Sequence, residues 1–129
     1  MNNMQVIIKN KSKKIKIKEV KKISEFEKII GLMFHSKERC PAMLFEFKKQ
    51  TNIRIHSLFV FFPFIAIWLD DKNKVVDIKI VKPFRLSIPS KKPFYKLLEI
   101  PLNKKYSNNI KIILKDSPVS INLPRRRKI

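Results

Sequence analysis

The sequence predicts a mainly β fold, namely a small closed or nearly closed β-barrel with one short helix. Short apolar segments recur along the 129 residues, and turn-forming Asn, Asp, Ser and Pro separate them. In several segments apolar and charged residues alternate, as they do in half-buried strands. Many short strands with a single helix favour a barrel over a sandwich, because closure removes exposed strand edges.

The first elements are predicted from local patterns. Isoleucines alternate with lysines within residues 14–20, which predicts a strand that forms a hairpin with residues 5–9. Ser24 and Glu27 have the spacing of a capping box, in which each side chain satisfies the backbone amide of the other residue. The sequence therefore predicts a short helix over residues 25–30.

Apolar runs and turn residues mark the remaining elements. Residues 70–73 are predicted as a hairpin turn, and Pro63 as a strand end or bend, because proline has no amide to donate to a sheet. Residues 83–94 are rich in proline and are predicted as a long loop. The further predicted strands are 43–47, 53–62, 65–69, 74–82, 95–100, 110–115 and 119–123.

Length and composition predict one domain with a substantial core. The chain has 44% hydrophobic residues, including ten Phe, and a single Gly. We expect residues 1–123 to form a single β-barrel domain. Residues 124–129 carry consecutive arginines after a proline and are predicted to form a basic flexible tail.

The charge balance is strongly basic. The chain has 30 Lys and Arg against 10 Asp and Glu, which gives a formal net charge of +20. A net charge of this size on a small domain produces an electrostatic field that attracts nucleic acid or an anionic membrane surface. Lysines spread evenly over the solvent-facing positions would give the same count, so a generically basic surface is an open alternative.

Cysteine usage and hydropathy bear on the compartment. Cys40 is the only cysteine, which excludes an internal disulfide. Lysines interrupt residues 1–22, so no signal peptide is predicted. The apolar run over residues 58–69 is shorter than the ~20 residues that a membrane-spanning helix needs. We expect a cytoplasmic protein without a membrane span, and we predict no cofactor and no metal.

Four motifs resemble those of a known family and occur in the same order. Residues 25–35 resemble its "ER..GLMFR" signature, and residues 42–47 resemble its "GMLFVF" strand. Residues 55–70 are similar to "FWMKNTLIPLDIAFLD", and residues 95–101 are similar to "YVLELPAG". Over residues 22–116 the chain is thus identified as a member of the family called domain of unknown function 192, also called uncharacterised protein family 0127.

The resemblance implies a single small β-barrel with a short helix, and it implies no established activity. The departures from the family pattern are informative. The polar "KNT" is replaced by the apolar residues 58–60, the acidic residue after the proline becomes Ile65, and an arginine becomes His35. If these polar groups form a site in relatives, this chain has lost much of it.

A pocket near His35, His56 and Glu99 is one functional hypothesis. Glu99 lies in an apolar segment, where its carboxylate could act as a general base with a raised pKa or could point outward from a strand. No short metal-ligand pair such as HxxxH or CxxC is present, and a chain with one glycine cannot form a glycine-rich phosphate loop. The corresponding function is a small-molecule or peptide-binding barrel or a cryptic enzyme, although no catalytic residue is identified.

Cations beside aromatic rings favour a different hypothesis, a noncatalytic module that associates with RNA or another polyanion, with the ribosome as one candidate partner. Cations contact phosphates, and rings stack on bases. A third hypothesis is a structural protein whose charge only maintains solubility, and none of the three predicts an oligomeric state. The predicted nucleic-acid-binding residues are Lys48, Lys49, Arg54, Arg85, Lys91, Lys92, Arg125, Arg126, Arg127 and Lys128.

Overall fold

The computed structural model describes residues 3–23, 36–57, 60–116 and 120–121. In that part of the chain the mainly β class is confirmed. A 3₁₀ turn, Lys104–Tyr106, leads directly into helix α1, Ser107–Asp116. The strands are β1 (Asn3–Asn10), β2 (Lys13–Ile23), β3 (Ala42–Thr51), β4 (Phe64–Leu69), β5 (Val75–Val81), β6 (Phe94–Pro101) and β7 (Ser120–Ile121).

The strands of the described residues belong to one mixed sheet with the order β1-β2-β3-β6-β4-β5-β7. Neighbouring strands are antiparallel, except that β2 and β3 are parallel, as are β5 and β7. Strand β6 is central, with β3 on one side and β4 on the other. The register places Glu99 of β6 between Met43 of β3 and Ala66 of β4.

The sheet forms a half-barrel, so the part of the prediction that gave a closed or nearly closed barrel is wrong. The outer strands approach at one end, where Lys9 and Lys74 form a bridge and the Lys9 amide donates to the Asn73 carbonyl at 2.8 Å. The Nδ2 atom of Asn73 also donates to the Ile7 carbonyl, at 3.1 Å. Farther along, the outer edge of β5 pairs with β7. Within the described residues, β1 and β5 are not neighbours in the sheet.

Two hydrophobic clusters cover opposite faces of the sheet. In β4, Ile65 and Ile67 belong to the first cluster, whereas Ala66 and Trp68 belong to the second. Strands β1 and β2 and helix α1 contribute to the first cluster. The loops that precede β4 and follow β5 contribute to the second. Strand β4 is therefore buried on both faces, which explains its uninterrupted apolar sequence.

The predicted strand at 110–115 is wrong, because the segment lies in α1. Ile110, Ile113 and Leu114 recur at helical spacing and pack on the first cluster. Periodicity alone does not separate a helix from a strand in so short an apolar run. The predicted helix at 25–30 lies outside the described residues. Within the described ranges no helix is long and apolar enough to cross a membrane.

The predicted strand at 53–62 is also wrong. Between β3 and β4 the described residues form a loop, which makes an isolated bridge between Ile55 and Ile88. The predicted loop at 83–94 is confirmed, since residues 82–93 separate β5 from β6. The other predicted strands that precede α1 coincide with β1 to β6 apart from their ends.

The hairpin turn between β4 and β5 is confirmed, and the side chain of Asp70 organises it. Its Oδ1 atom accepts hydrogen bonds from the amides of Lys72 and Lys74, both at 2.8 Å. Asn73 has a φ of 64°, a left-handed conformation that asparagine tolerates better than most residues. Asp and Asn thus replace glycine in this turn, as the near absence of glycine requires.

Tyr106 joins β2 and β3, the strands that pair in parallel. Its buried hydroxyl accepts a hydrogen bond from the Ala42 amide and donates one to the Glu19 carbonyl, both at 2.8 Å. Glu19 has a φ of 56° and lies where the register between β1 and β2 shifts. The phenol therefore supplies partners to backbone groups at the bulge and at the start of β3.

Replacing Tyr106 with Phe is expected to lower the free energy of unfolding by about 1–3 kcal/mol, because the Ala42 amide and the Glu19 carbonyl lose a buried partner while the ring remains. Urea unfolding at neutral pH measures this change. Tyr95→Phe is the matched control, since Tyr95 is half-buried, and it should change the free energy by less than about 0.5 kcal/mol. Equal losses in the two variants would contradict the bridging role of Tyr106.

Candidate functional site

Ser57 fixes the loop between β5 and β6 against the loop between β3 and β4. Its buried Oγ atom donates to the Lys82 carbonyl at 2.5 Å and accepts from the Arg85 amide at 2.6 Å. Its amide donates to the Arg85 carbonyl, and its carbonyl accepts from the Phe84 amide, both at 2.8 Å. These bonds hold residues 82–85 in one conformation and so determine where their side chains emerge.

Phe61 and Phe84 form an exposed aromatic pair. Phe61 is 60% exposed and Phe84 is 57% exposed. Their ring centroids are 5.5 Å apart, with an angle of 75° between the ring planes. Phe84 has a φ of 63°, which is rare for a bulky residue. The hydrogen bonds of Ser57 on either side of Phe84 maintain this conformation.

Cationic side chains lie on the same two loops as the aromatic pair. The Nε atom of Arg54 donates to the Oγ atom of Ser87 at 2.5 Å, which ties this guanidinium to the loop between β5 and β6. Lys79, Lys82 and Arg85 line a cavity of about 330 Å³. Burial, followed by the Arg85 guanidinium, lowers the pKa of Lys82. The Arg85 guanidinium therefore lies close enough to Lys82 to disfavour its charge.

Lys79 is engaged within the protein. Its Nζ atom lies 3.9 Å from Oδ2 of Asp77 and 5.6 Å from the centre of the Trp68 ring, and it donates to the Pro89 carbonyl. The charge of Lys79 is thus partly compensated. The other cations and the aromatic pair form a surface that we call the loop surface, whose members are Arg54, Phe61, Lys82, Phe84 and Arg85.

The structure brings some of the predicted nucleic-acid-binding residues together. Arg54 and Arg85 both belong to the loop surface. Residues 48–49 lie near the end of β3, where they line a separate cavity of about 520 Å³. Residues 91–92 are exposed in the loop between β5 and β6. Residues 125–128 lie outside the described residues.

Sequence reasoning missed Ser57 and Phe61. Ser57 lies within the predicted strand at 53–62, and Phe61 lies within an apolar run. No local pattern therefore marks Ser57 as a hydrogen-bonding anchor or Phe61 as exposed. The signal that did exist was the sequence of residues 82–85, Lys-Pro-Phe-Arg, which places a ring next to cations. The sequence does not show that Ser57 bonds to this segment, because Ser57 and Arg85 lie 28 positions apart along the chain.

Glu99 is buried in the centre of the sheet, and it is 6% exposed. The alternative that its side chain points outward is therefore wrong. Burial raises the pKa of Glu99 to about 8, because an ionised carboxylate would lose its hydration among apolar neighbours. The carboxyl is therefore mostly protonated at neutral pH, and it is a carboxylic acid rather than a charge in the second cluster.

Within the described residues, the structure does not place His56 in a pocket with Glu99. His56 is exposed in the loop between β3 and β4, and neither cavity described above is lined by His56 or Glu99. His35 lies outside the described residues. Burial, followed by the charge of Glu99, raises the pKa of the Cys40 thiol to about 12 against an opposing effect of Lys105. A thiol that ionises so reluctantly is a poor nucleophile.

Comparison with known protein families identifies the family of this chain. The sequence model of the family described as Uncharacterized ACR, domain of unknown function 192, matches residues 6–112. The chain belongs to this family. The match extends from β1 into α1, so it confirms the resemblance carried by the four motifs and adds the amino-terminal hairpin to it.

Relatives of this DUF192 chain agree with the assignment. It is 28% identical over 103 residues to the UPF0127 protein PH1112 of Pyrococcus horikoshii, covering 78% of this chain and 89% of that protein. It is 29% identical over 94 residues to the UPF0127 protein PYRAB11210 of Pyrococcus abyssi, covering 71% and 80%. A crystal structure of a protein of unknown function from Novosphingobium aromaticivorans is similar in fold, with a TM-score of 0.65 at 19% identity over 82% of this chain and 77% of that chain.

Stability is expected to fall with rising pH because of Glu99. Its pKa rises from 4.5 to about 8 on folding, so the unfolded chain releases this proton first as the pH increases. Between about pH 4.5 and pH 8 the free energy of unfolding should therefore decrease by on the order of 3–5 kcal/mol from this group. Glu99→Gln keeps a neutral side chain of similar shape and should remove that decrease, as measured by urea unfolding at the two pH values.

The control for this experiment is Glu38→Gln, which removes an acid from an exposed turn. Its stability should decrease between the two pH values as much as that of the unaltered protein. A Glu99→Gln variant with an undiminished decrease would contradict the conclusion that Glu99 is buried in its neutral form.

Proposed function

We propose that this DUF192 protein is a noncatalytic module that binds RNA through the loop surface. The observation that carries the proposal is the hydrogen bonding of Ser57, which fixes Lys82, Phe84 and Arg85 on an accessible loop. A loop whose backbone is held in place presents its cations from defined positions, so less conformational entropy is lost when they contact phosphates. Exposed rings beside such cations are a common feature of surfaces that bind nucleic acids.

The charge of the protein supports a polyanionic partner. A net charge of +20 on 129 residues produces a strong attractive field for phosphates. Near the cavity, the acid Asp77 is engaged by the protein itself: Oδ2 accepts from the Lys91 amide at 2.8 Å, and Oδ1 accepts from the Ile78 amide at 2.8 Å. Asp77 also forms an ion pair with Lys79, at 3.9 Å, and Lys79 is not a member of the loop surface. Release of counterions from RNA would then drive binding.

Basic residues beyond the loop surface would extend the contact. Residues 48–49 and 91–92 are exposed lysines, and we propose that they contact neighbouring phosphates. The arginines of residues 125–127 and Lys128 would form an additional arm, because arginine clusters on arms commonly contact RNA backbones. Structured RNA, including that of a ribosome, would offer phosphates to all these groups.

The alternative functions have less support. A protein whose charge only maintains solubility does not require two exposed rings, Phe61 and Phe84, on the loops that carry the cations. A pocket enzyme would require Glu99 to reach a substrate, yet Glu99 is 6% exposed and lies in register between Met43 and Ala66. The geometry therefore favours binding at the loop surface over chemistry in the sheet.

The double variant Arg54→Gln/Arg85→Gln tests the proposal. Removing two phosphate contacts should weaken RNA binding by roughly 10- to 30-fold at 0.1 M salt and lower the slope of log K against log salt by about 1.4, since each contact to single strands contributes about 0.7. Fluorescence anisotropy with a labelled RNA over a salt series measures both quantities.

The matched control is Lys111→Gln/Lys115→Gln, which removes the same charge from exposed positions of α1. This control should leave the slope nearly unchanged. Equal effects of the two double variants would instead indicate a generically basic surface. Deleting residues 124–129 in the same assay tests the arm separately, and binding that survives the deletion unaltered would remove the arm from the proposal.

A further inference from the structure

We infer that the loop surface selects unpaired nucleotides, with a base stacked on the Phe61 and Phe84 pair and the adjacent phosphates on Lys82 and Arg85. This inference rests on the proposed function and deepens it. It distinguishes single-stranded RNA from duplex RNA as the preferred partner, a distinction that the cations alone would not make.

The exposure of the Phe61 ring follows from the burial of its neighbours. Phe61 is 60% exposed although the residues on either side, Val60 and Phe62, are each 2% exposed in the second cluster. The backbone around Phe61 is therefore anchored, and the ring faces outward because its neighbours face inward. Phenylalanine is one of the residues most often buried, so a fixed pair of exposed rings is informative.

The backbone conformation of Phe84 also supports a binding role for the rings. A φ of 63° is unfavourable for a bulky side chain. It is maintained by the hydrogen bonds of the Phe84 amide to the Ser57 carbonyl, at 2.8 Å, and of the Arg85 amide to the Ser57 hydroxyl, at 2.6 Å. Strained residues that the surrounding structure holds in this way cluster at sites that clamp ligands.

The chemistry around the rings identifies the partner. Phe84 and Arg85 are consecutive, with Cα atoms about 3.8 Å apart, so one loop presents a ring and a guanidinium from adjacent backbone positions. Bases in a duplex are already stacked on each other and cannot reach the rings, whereas unpaired bases can. Ring planes 75° apart offer a base the face of one ring and the edge of the other.

An anionic membrane would also attract rings and cations, but the cavity argues against it. Lys82 and Arg85 line a concave volume of about 330 Å³, which suits a discrete phosphate better than a plane of lipid headgroups. The arrangement therefore favours a strand with bases and phosphates in alternation.

The test compares labelled single-stranded RNA of about 12 nucleotides with the duplex of the same sequence, because single-strand sites of this kind span about 4–16 nucleotides. We expect the full chain to bind the single strand more tightly. Phe61→Leu/Phe84→Leu should weaken single-strand binding roughly 5- to 100-fold and leave duplex binding within about twofold, since leucine keeps the apolar surface but cannot stack. Phe61→Tyr/Phe84→Tyr should retain the single-strand affinity.

The control Ile7→Ala/Ile112→Ala removes exposed apolar side chains elsewhere, 45% and 44% exposed, and should change neither affinity. Thermal unfolding verifies that each variant folds, and Phe61→Leu alone serves if the double variant does not. Equal, salt-dependent binding of both RNAs would overturn the inference and leave the proposed function standing. Binding of neither RNA would overturn both. Tighter binding to phosphatidylserine vesicles, retained in the leucine variant, would assign the rings to a membrane and overturn the inference.

Discussion

Burial of β4 on both faces is the constraint on which the rest of the structure depends. Every residue of Phe64–Leu69 is buried, so the sheet needs a cover on each side. Strands β1 and β2 and helix α1 provide the cover on the first cluster. The loops before β4 and after β5 provide part of the cover on the second. These loops also carry the loop surface, so the same segments exclude water from the core and present the candidate site.

Alternation of inward and outward residues allows a covering loop to act as a binding surface. Val60 and Phe62 pack into the second cluster while Phe61 between them faces solvent. Ile88 is buried in the same cluster from the opposite loop, and Ser57 joins the two loops through backbone groups. The rings and cations are thus displayed by a rigid support.

Glu99 is a polar residue on the face of the sheet that the second cluster covers. Its carboxyl lies beside Met43 and Ala66 and is neutral at ordinary pH, because burial raises its pKa to about 8. A neutral acid is far less costly to bury than a carboxylate. Its presence also raises the pKa of the Cys40 thiol, although burial of that thiol is the larger cause. The protein therefore loses stability as the pH rises from about 4.5 to about 8.

The sequence by itself determined the strands whose residues alternate, the turn built by Asp70 and Asn73, the basic charge and the family. These depend on neighbouring residues or on order along the chain, which a sequence displays directly. Only the tertiary structure decided that the sheet stays open, that residues 110–115 form a helix, and that Phe61 faces solvent. Each of these depends on contacts between distant segments, such as the packing of Ile113 of α1 on the first cluster or the bonds of Ser57 across 28 positions. Local patterns do not record which distant backbone group will satisfy a given amide.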